Sequence, residues 1–193
     1  MVAWRIFKRL TLSLLSLIGI TLIGLCGLYL WINYNDNFHA VQEGVVYRSA
    51  QMSPESLKKH LESEQIRTVI NLRGSNPGQE WYRLESNVLN NAGITLIDIP
   101  LSSSTMYKPD EIRTYIEKIN SAPKPVLIHC LNGSDRTGLI SAVYLLQNGI
   151  DETTASKHLS LRYGHIPYGL WANTKAMDVS LKNFIAILQP GTD

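Results

Sequence analysis

Pro125-Val126-Leu127-Ile128-His129-Cys130-Leu131-Asn132-Gly133-Ser134-Asp135-Arg136-Thr137-Gly138 is the stretch on which the reading of this 193-residue chain turns. Its opening is a short, wholly apolar run, the pattern of a central strand covered on both faces. From Thr137 to Gln147 the residues read as an apolar helix. In the loop between, each residue type has a physical job. A thiolate such as that of Cys130, held near a helix N-terminus, is favoured by the positive end of the dipole and by backbone N–H groups. Leu131, Asn132, Gly133, Ser134 and Asp135 can curl until their N–H groups converge, which makes a cradle for an oxyanion. Gly133 permits a backbone conformation that other residues resist. Arg136 closes the ring and offers a planar fork of donors. His129 reads either as a hydrogen-bonding support to this loop or as nothing more than the end of a strand.

On both sides of the loop, strands alternate with helices. Gly44–Tyr47 is expected to be an opening strand, followed by Ser53-Pro54 as the cap and first residue of a helix. Ile66–Leu72 has the β-branched content of a strand. The polar segment Arg73–Gly78 leads to a helix ending near Asn91-Ala92-Gly93, and Ile94–Ile99 is the next strand. Lys108-Pro109-Asp110 opens a helix to about Ser121, and helices are also expected over 152–161 and about 170–188. The pattern is α/β, with a central, mostly parallel sheet flanked by helices.

The loop, together with its strand and helix, resembles the dual-specificity branch of the cysteine-dependent protein tyrosine phosphatases, which carry His-Cys-x5-Arg-Thr-Gly. The resemblance runs from about Val45 to Leu188. It includes Val46-Tyr47-Arg48-Ser49-Ala50-Gln51, Val69-Ile70-Asn71-Leu72-Arg73 and the Ile99-Pro100-Leu101 turn. It implies double displacement without metal or cofactor: Cys130 attacks phosphorus and water hydrolyses the phosphocysteine. In that scheme Arg136 and the amides of residues 131–136 hold the equatorial oxygens, and Thr137 hydrogen-bonds the departing sulfur. A buried, inert cysteine is the structural alternative for Cys130, and Arg136 at this spacing speaks against it. A rhodanese-like sulfur carrier would not account for Arg-Thr-Gly.

The sequence departs from the family where the general acid is expected. Family members usually carry an Asp soon after Ile-Pro, but here Ser102-Ser103-Ser104 follow Leu101. Three carboxylates compete for the role. Asp135 lies within the loop, in an Asp-Arg-Thr form that resembles bacterial members and the myotubularin-type lipid phosphatases. Asp98 precedes Ile99-Pro100, and Asp110 also reads as a charge at a helix N-terminus. Asp135 could alternatively orient Arg136. The expected substrate is a phosphorylated protein or, alternatively, an envelope lipid or glycolipid phosphate. The loop carries no lysine, which disfavours a highly anionic headgroup. A phospho-binding module without turnover is the reading from another class.

Composition narrows the setting. With 45% hydrophobic and 18% charged residues the chain is not disordered, and Cys26 and Cys130 cannot form a disulfide scaffold. The net charge of +2 gives no reason to expect a nucleic-acid partner. That charge is unevenly placed: Arg5, Lys8 and Arg9 lie in a basic tail over 1–9, while the chain from Asp36 onward is nearly neutral. No charge occurs between Leu10 and Asn35, and residues 10–32 are expected to span a bilayer. Trp4 before this run and Tyr29, Trp31 and Tyr34 after it suit the two interfaces. The run is too long for a cleaved signal peptide and ends in large residues. A buried core helix would carry a clearer polar face. The basic cluster predicts a cytoplasmic N-terminus, with the catalytic domain (44–190) after a linker (33–43) on the periplasmic or other extracytoplasmic side. Nothing in the sequence specifies an oligomeric state.

Overall fold

The structure is a computed structural model describing residues 2–188, in two units that divide between Asn35 and Asp36. Met1 of the basic tail, residues 189–190 of the expected catalytic domain and the Tyr29 side chain lie outside what it describes. The first unit is a single helix, α1 (Val2–Tyr34). The expected basic tail is therefore helical, and the helix continues two residues beyond the expected span. Trp4–Leu28 is long and apolar enough to cross a membrane. Its Thr11 and Thr21 hydroxyls donate to Lys8 O and Leu17 O, so these polar groups are satisfied by the helix itself.

The second unit contains β1 (His39–Gln42), β2 (Val46–Ser49), α2 (Pro54–Ser63), β3 (Thr68–Asn71), α3 (Glu80–Asn91), β4 (Thr95–Asp98), α4 (Pro109–Ser121), β5 (Val126–His129), α5 (Arg136–Gln147), α6 (Glu152–Ser156) and α7 (Lys175–Leu188). The sheet order is β1-β2-β5-β3-β4, parallel except for β1. β5 lies at the centre and is buried at every position. Both faces of the sheet are apolar, as a sheet covered by helices on two sides requires. Val46, Ile70, Val126 and Ile128 pack with α4, α5 and α7, while Tyr47, Val69 and Leu127 face α2 and α3. The parallel register aligns Ser49, His129, Asn71 and Asp98 along one edge, at the carboxyl ends of their strands.

Several expected boundaries differ from the structure, beginning with the opening strand, which is Val46–Ser49 rather than Gly44–Tyr47. The linker placed over 33–43 is instead the end of α1 followed by a buried Asn37 and β1, which pairs antiparallel with β2. Phe38 stacks on Tyr47 and His60 while Val41 packs on the opposite face, so four residues gain a strand's alternation from the tertiary partners they meet. The helix expected over 152–161 ends at Ser156, and a short 3-10 turn occupies Leu161–Tyr163. A second such turn covers Gly169–Thr174, so α7 begins at Lys175 rather than near 170.

Candidate active site

The loop Cys130–Asp135 joins the end of β5 to the start of α5. Cys130 is buried, Leu131 and Asn132 are exposed, and Gly133 and Ser134 turn inward. Among the described residues, the backbone N–H groups of residues 131–136 donate to no protein acceptor, while neighbouring elements hold the loop's carbonyls. Gln51 N–H donates to Leu131 O at 3.0 Å, Asn37 Nδ2 to Asn132 O at 2.9 Å and Arg48 to Gly133 O. Carbonyls tied from behind leave the amides facing the other way, as an anion nest requires. Gly133 has φ +70°, and a Cβ there would lie 2.7 Å from Ser49 O. Glycine alone permits both the left-handed turn and the approach to β2. Gly138 serves packing instead: a Cβ there would come 2.8 Å from His158 O.

Arg136 lies in the first turn of α5. Its Nη1 donates to Leu101 O at 3.2 Å and more weakly to Leu72 O at 3.4 Å, which fixes the guanidinium against the ends of β3 and β4. Its Nε is buried without a partner among the described residues. The Thr137 hydroxyl is likewise buried and unpartnered, so the bond to sulfur implied by the resemblance is not formed here.

The sequence offers His129 as a support to the loop but not its partner, nor the other groups that brace the site. His129 shares a buried hydrogen bond with Glu85 of α3 at 2.9 Å, and Gln51 donates to the other Glu85 oxygen. Burial pushes the Glu85 carboxyl up, but His129, Gln51 and Arg73 outweigh it and hold the group below its ordinary range. Arg48 is fully buried, with its guanidinium 3.9 Å from the Tyr163 ring and a 2.7 Å bond to His158 O. Burial lowers its pKa to about 10. Arg73 stacks on Trp81 at 3.5 Å and donates to Gln51. Burial and the neighbouring Arg136 cation both pull it down, which puts two guanidinium groups at one site. Arg73 ends the Val69–Arg73 run, so its position was visible in sequence and its role was not.

The three carboxylates separate clearly. Asp98 accepts from Asn71 Nδ2 at 2.8 Å and from the Tyr82 hydroxyl at 2.5 Å, so both its oxygens are committed. Asp110 is exposed in the first turn of α4, with Arg113 at 3.3 Å. Asp135 alone is part of the loop, and its Oδ1 lies 2.6 Å from Nδ1 of the buried His165. No group of three or more His, Cys, Asp or Glu among the described residues has donors placed to hold a metal.

An anion cradle at the carboxyl edge of a parallel sheet, with a cysteine at its centre and an arginine closing it, belongs to the cysteine-dependent phosphatases. A family model described as DSP-PTPase phosphatase fused to NAD+ kinase matches residues 25–166, and the chain belongs to that family. It is 27% identical over 100 residues to the dual specificity protein phosphatase H1 of Variola virus, covering 52% of each chain. The chain thus spans about half the length of the curated relatives it matches. Among solved structures it is similar to P. aeruginosa TpbA, at 20% identity and TM-score 0.60, over 79% of this chain and 91% of that one. It is also similar to the core catalytic domain of the PP-IP phosphatase SIW14 from S. cerevisiae, at 21% identity and TM-score 0.60, over 79% and 90%. At these identities the likeness is one of fold.

Proposed function

We propose that the chain is a phosphomonoester hydrolase working through a phosphocysteine intermediate. The observation that carries this reading is the set of unpartnered N–H groups around Cys130, closed by an Arg136 whose Nη1 is anchored and whose Nε is free. A phosphate dianion seated there presents phosphorus to Cys130 Sγ. The amides and Arg136 hold the equatorial oxygens, and Arg73 adds positive charge at the mouth. Asp135 supplies the proton to the leaving oxygen, and the Thr137 hydroxyl bonds the sulfur when the intermediate breaks down. Asp98, with both oxygens already accepting, shapes the Asn71–Gly74 turn.

The substrate we favour is a phosphorylated protein side chain, and a TpbA structure in complex with pTyr makes an aryl phosphate the natural first probe. A lipid phosphate is the second reading, supported by the membrane-length helix Trp4–Leu28. In this reading α1 anchors the enzyme with its N-terminus cytoplasmic and the catalytic unit outside.

The test is turnover of an aryl phosphate by the detergent-solubilised full chain. Cys130→Ser should abolish it while vanadate still binds, because the amides and Arg136 remain. Arg136→Lys should lose most activity, since an ammonium cannot reproduce a planar two-point contact. Turnover in the Cys130→Ser protein would end the phosphocysteine reading.

A further inference from the structure

His165 lies between two carboxylates, one in the phosphate loop and one on α7. Its Nδ1 is 2.6 Å from Asp135 Oδ1 and its Nε2 is 3.0 Å from Asp178 Oδ2. The ring is buried, while the Asp178 side chain retains 40% of its exposure and so connects the chain of groups to solvent. Gly164, at φ +83°, ends the Leu161–Tyr163 turn, and His165 N–H is bonded back to Ser160 O. The backbone thus delivers the imidazole to this place without help from either carboxylate.

We propose that His165 and Asp178 are positioning residues that store and orient the proton Asp135 delivers to the leaving oxygen. The proposal rests on the phosphatase reading and on Asp135 as its acid. A neutral imidazole has one N–H and one acceptor nitrogen. Two ionised carboxylates at its two nitrogens need two donors, so Asp135, His165 and Asp178 together hold one more proton than a neutral ring and two carboxylates would. The charged groups that bond to His165 are Asp135 from the loop and Asp178 from α7, and these two carboxylates dominate its electrostatics. Burial pulls the ring down, but its bonds to the two carboxylates outweigh that and raise it above the ordinary imidazole value.

The proton balance closes over one cycle. As Cys130 Sγ forms its bond to phosphorus, the P–O bond to the leaving group breaks. The departing oxygen takes up a proton that passes from His165 Nδ1 by way of the Asp135 carboxyl. In the second half, water attacks phosphorus, Sγ leaves as thiolate, and the water's proton returns through Asp135 to His165. Nothing is oxidised or reduced, and no further reactant is required.

The experiment is the pH profile of kcat/KM for an alkyl phosphate, with the full chain in detergent, for the parent protein, His165→Gln and Asp178→Asn. A proton stored on a raised imidazole is present below the raised value and lost above it, so it sets the basic limb. In His165→Gln that limb should move to lower pH by about one pH unit or more, toward a carboxyl titrating alone. Asp178→Asn should move it the same way by less. Alkyl phosphate turnover should fall roughly tenfold or more, and aryl turnover less, because an aryl leaving group scarcely needs an acid. An unmoved limb in Asp178→Asn overturns the proposal even if His165→Gln does not fold. Equal losses for aryl and alkyl substrates overturn it too. A parent protein without turnover, or turnover surviving Cys130→Ser, would instead bring down the phosphatase reading beneath it.

Discussion

At Gly133 two constraints meet, a left-handed φ of +70° and carbonyl and amide atoms of Ser49 and Ala50 within 2.8 Å of any added Cβ. Gly133→Ala must therefore either move β2 away or flatten the turn, at about 1–3 kcal/mol. The expected outcome is a lower urea midpoint and the loss of most aryl phosphate turnover. Normal activity in a stable Gly133→Ala protein would mean that the loop is not a rigid cradle. Spacing along the chain makes this part of the site readable: Cys130 and Gly133 in the loop and Arg136 at the start of α5 lie in one continuous stretch whose geometry follows from strand, turn and helix. The groups that hold the loop are not readable in the same way. Asn37, Glu85 and His165 approach it from 95, 44 and 30 residues away, and only the completed fold pairs them with Asn132, His129 and Asp135. An isolated Asn or Glu in a polar stretch looks like any solvated residue until its partner is known.

The helix α3 shows the same division between what an element is and what it meets. Its end follows from Asn91-Ala92-Gly93, while its start at Glu80 has no capping side chain to announce it. One face carries Trp81 against Arg73, Tyr82 against Asp98 and Glu85 against His129. The i, i+4 spacing of Trp81 and Glu85 sets both on the same side. Glu85→Ala leaves His129 and Gln51 without their buried acceptor, which costs about 1–3 kcal/mol. Thermal unfolding should register that loss, and turnover should fall because the strand end that carries Cys130 is no longer braced. Glu85→Gln keeps an acceptor oxygen and should recover part of both. Equal behaviour of the two variants would show that α3 supports the site through packing alone. The strand β1 stayed hidden for another reason. With only four residues, half-buried, it has too short a pattern to stand out from a linker.

Over the whole molecule, proton binding sets how stability varies with pH. His39 and His158 are depressed to about 4, by burial first and then by the Arg48 cation. In the unfolded chain their rings take up protons at the ordinary value of about 6.5. The unfolded state therefore binds more protons as pH falls through that window, and stability should decline from about pH 6.5 toward 4. Glu85, held low, loses its contribution below its ordinary range. His165 acts in the opposite sense: its contribution is complete in acid and fades as pH rises through its raised value. Urea midpoints measured from pH 7.5 to 4.5 should fall on the acid side, and a flat series would contradict the burial of these rings. The orientation of the chain is tested separately. A C-terminal alkaline phosphatase fusion should be active and a fluorescent reporter that needs the cytoplasm should be dark, and the reverse would place the catalytic unit inside. Assembly has its own consequence. The bonds that complete the loop join Asn37 to residues 132 and 163, and Arg136 to residues 72 and 101, across sequence separations of 35 to 126. Contacts of such range form late in folding. A chain still emerging from the ribosome or threading a membrane thus carries the cysteine but not the catalyst, and regain of turnover should trail regain of helix signal.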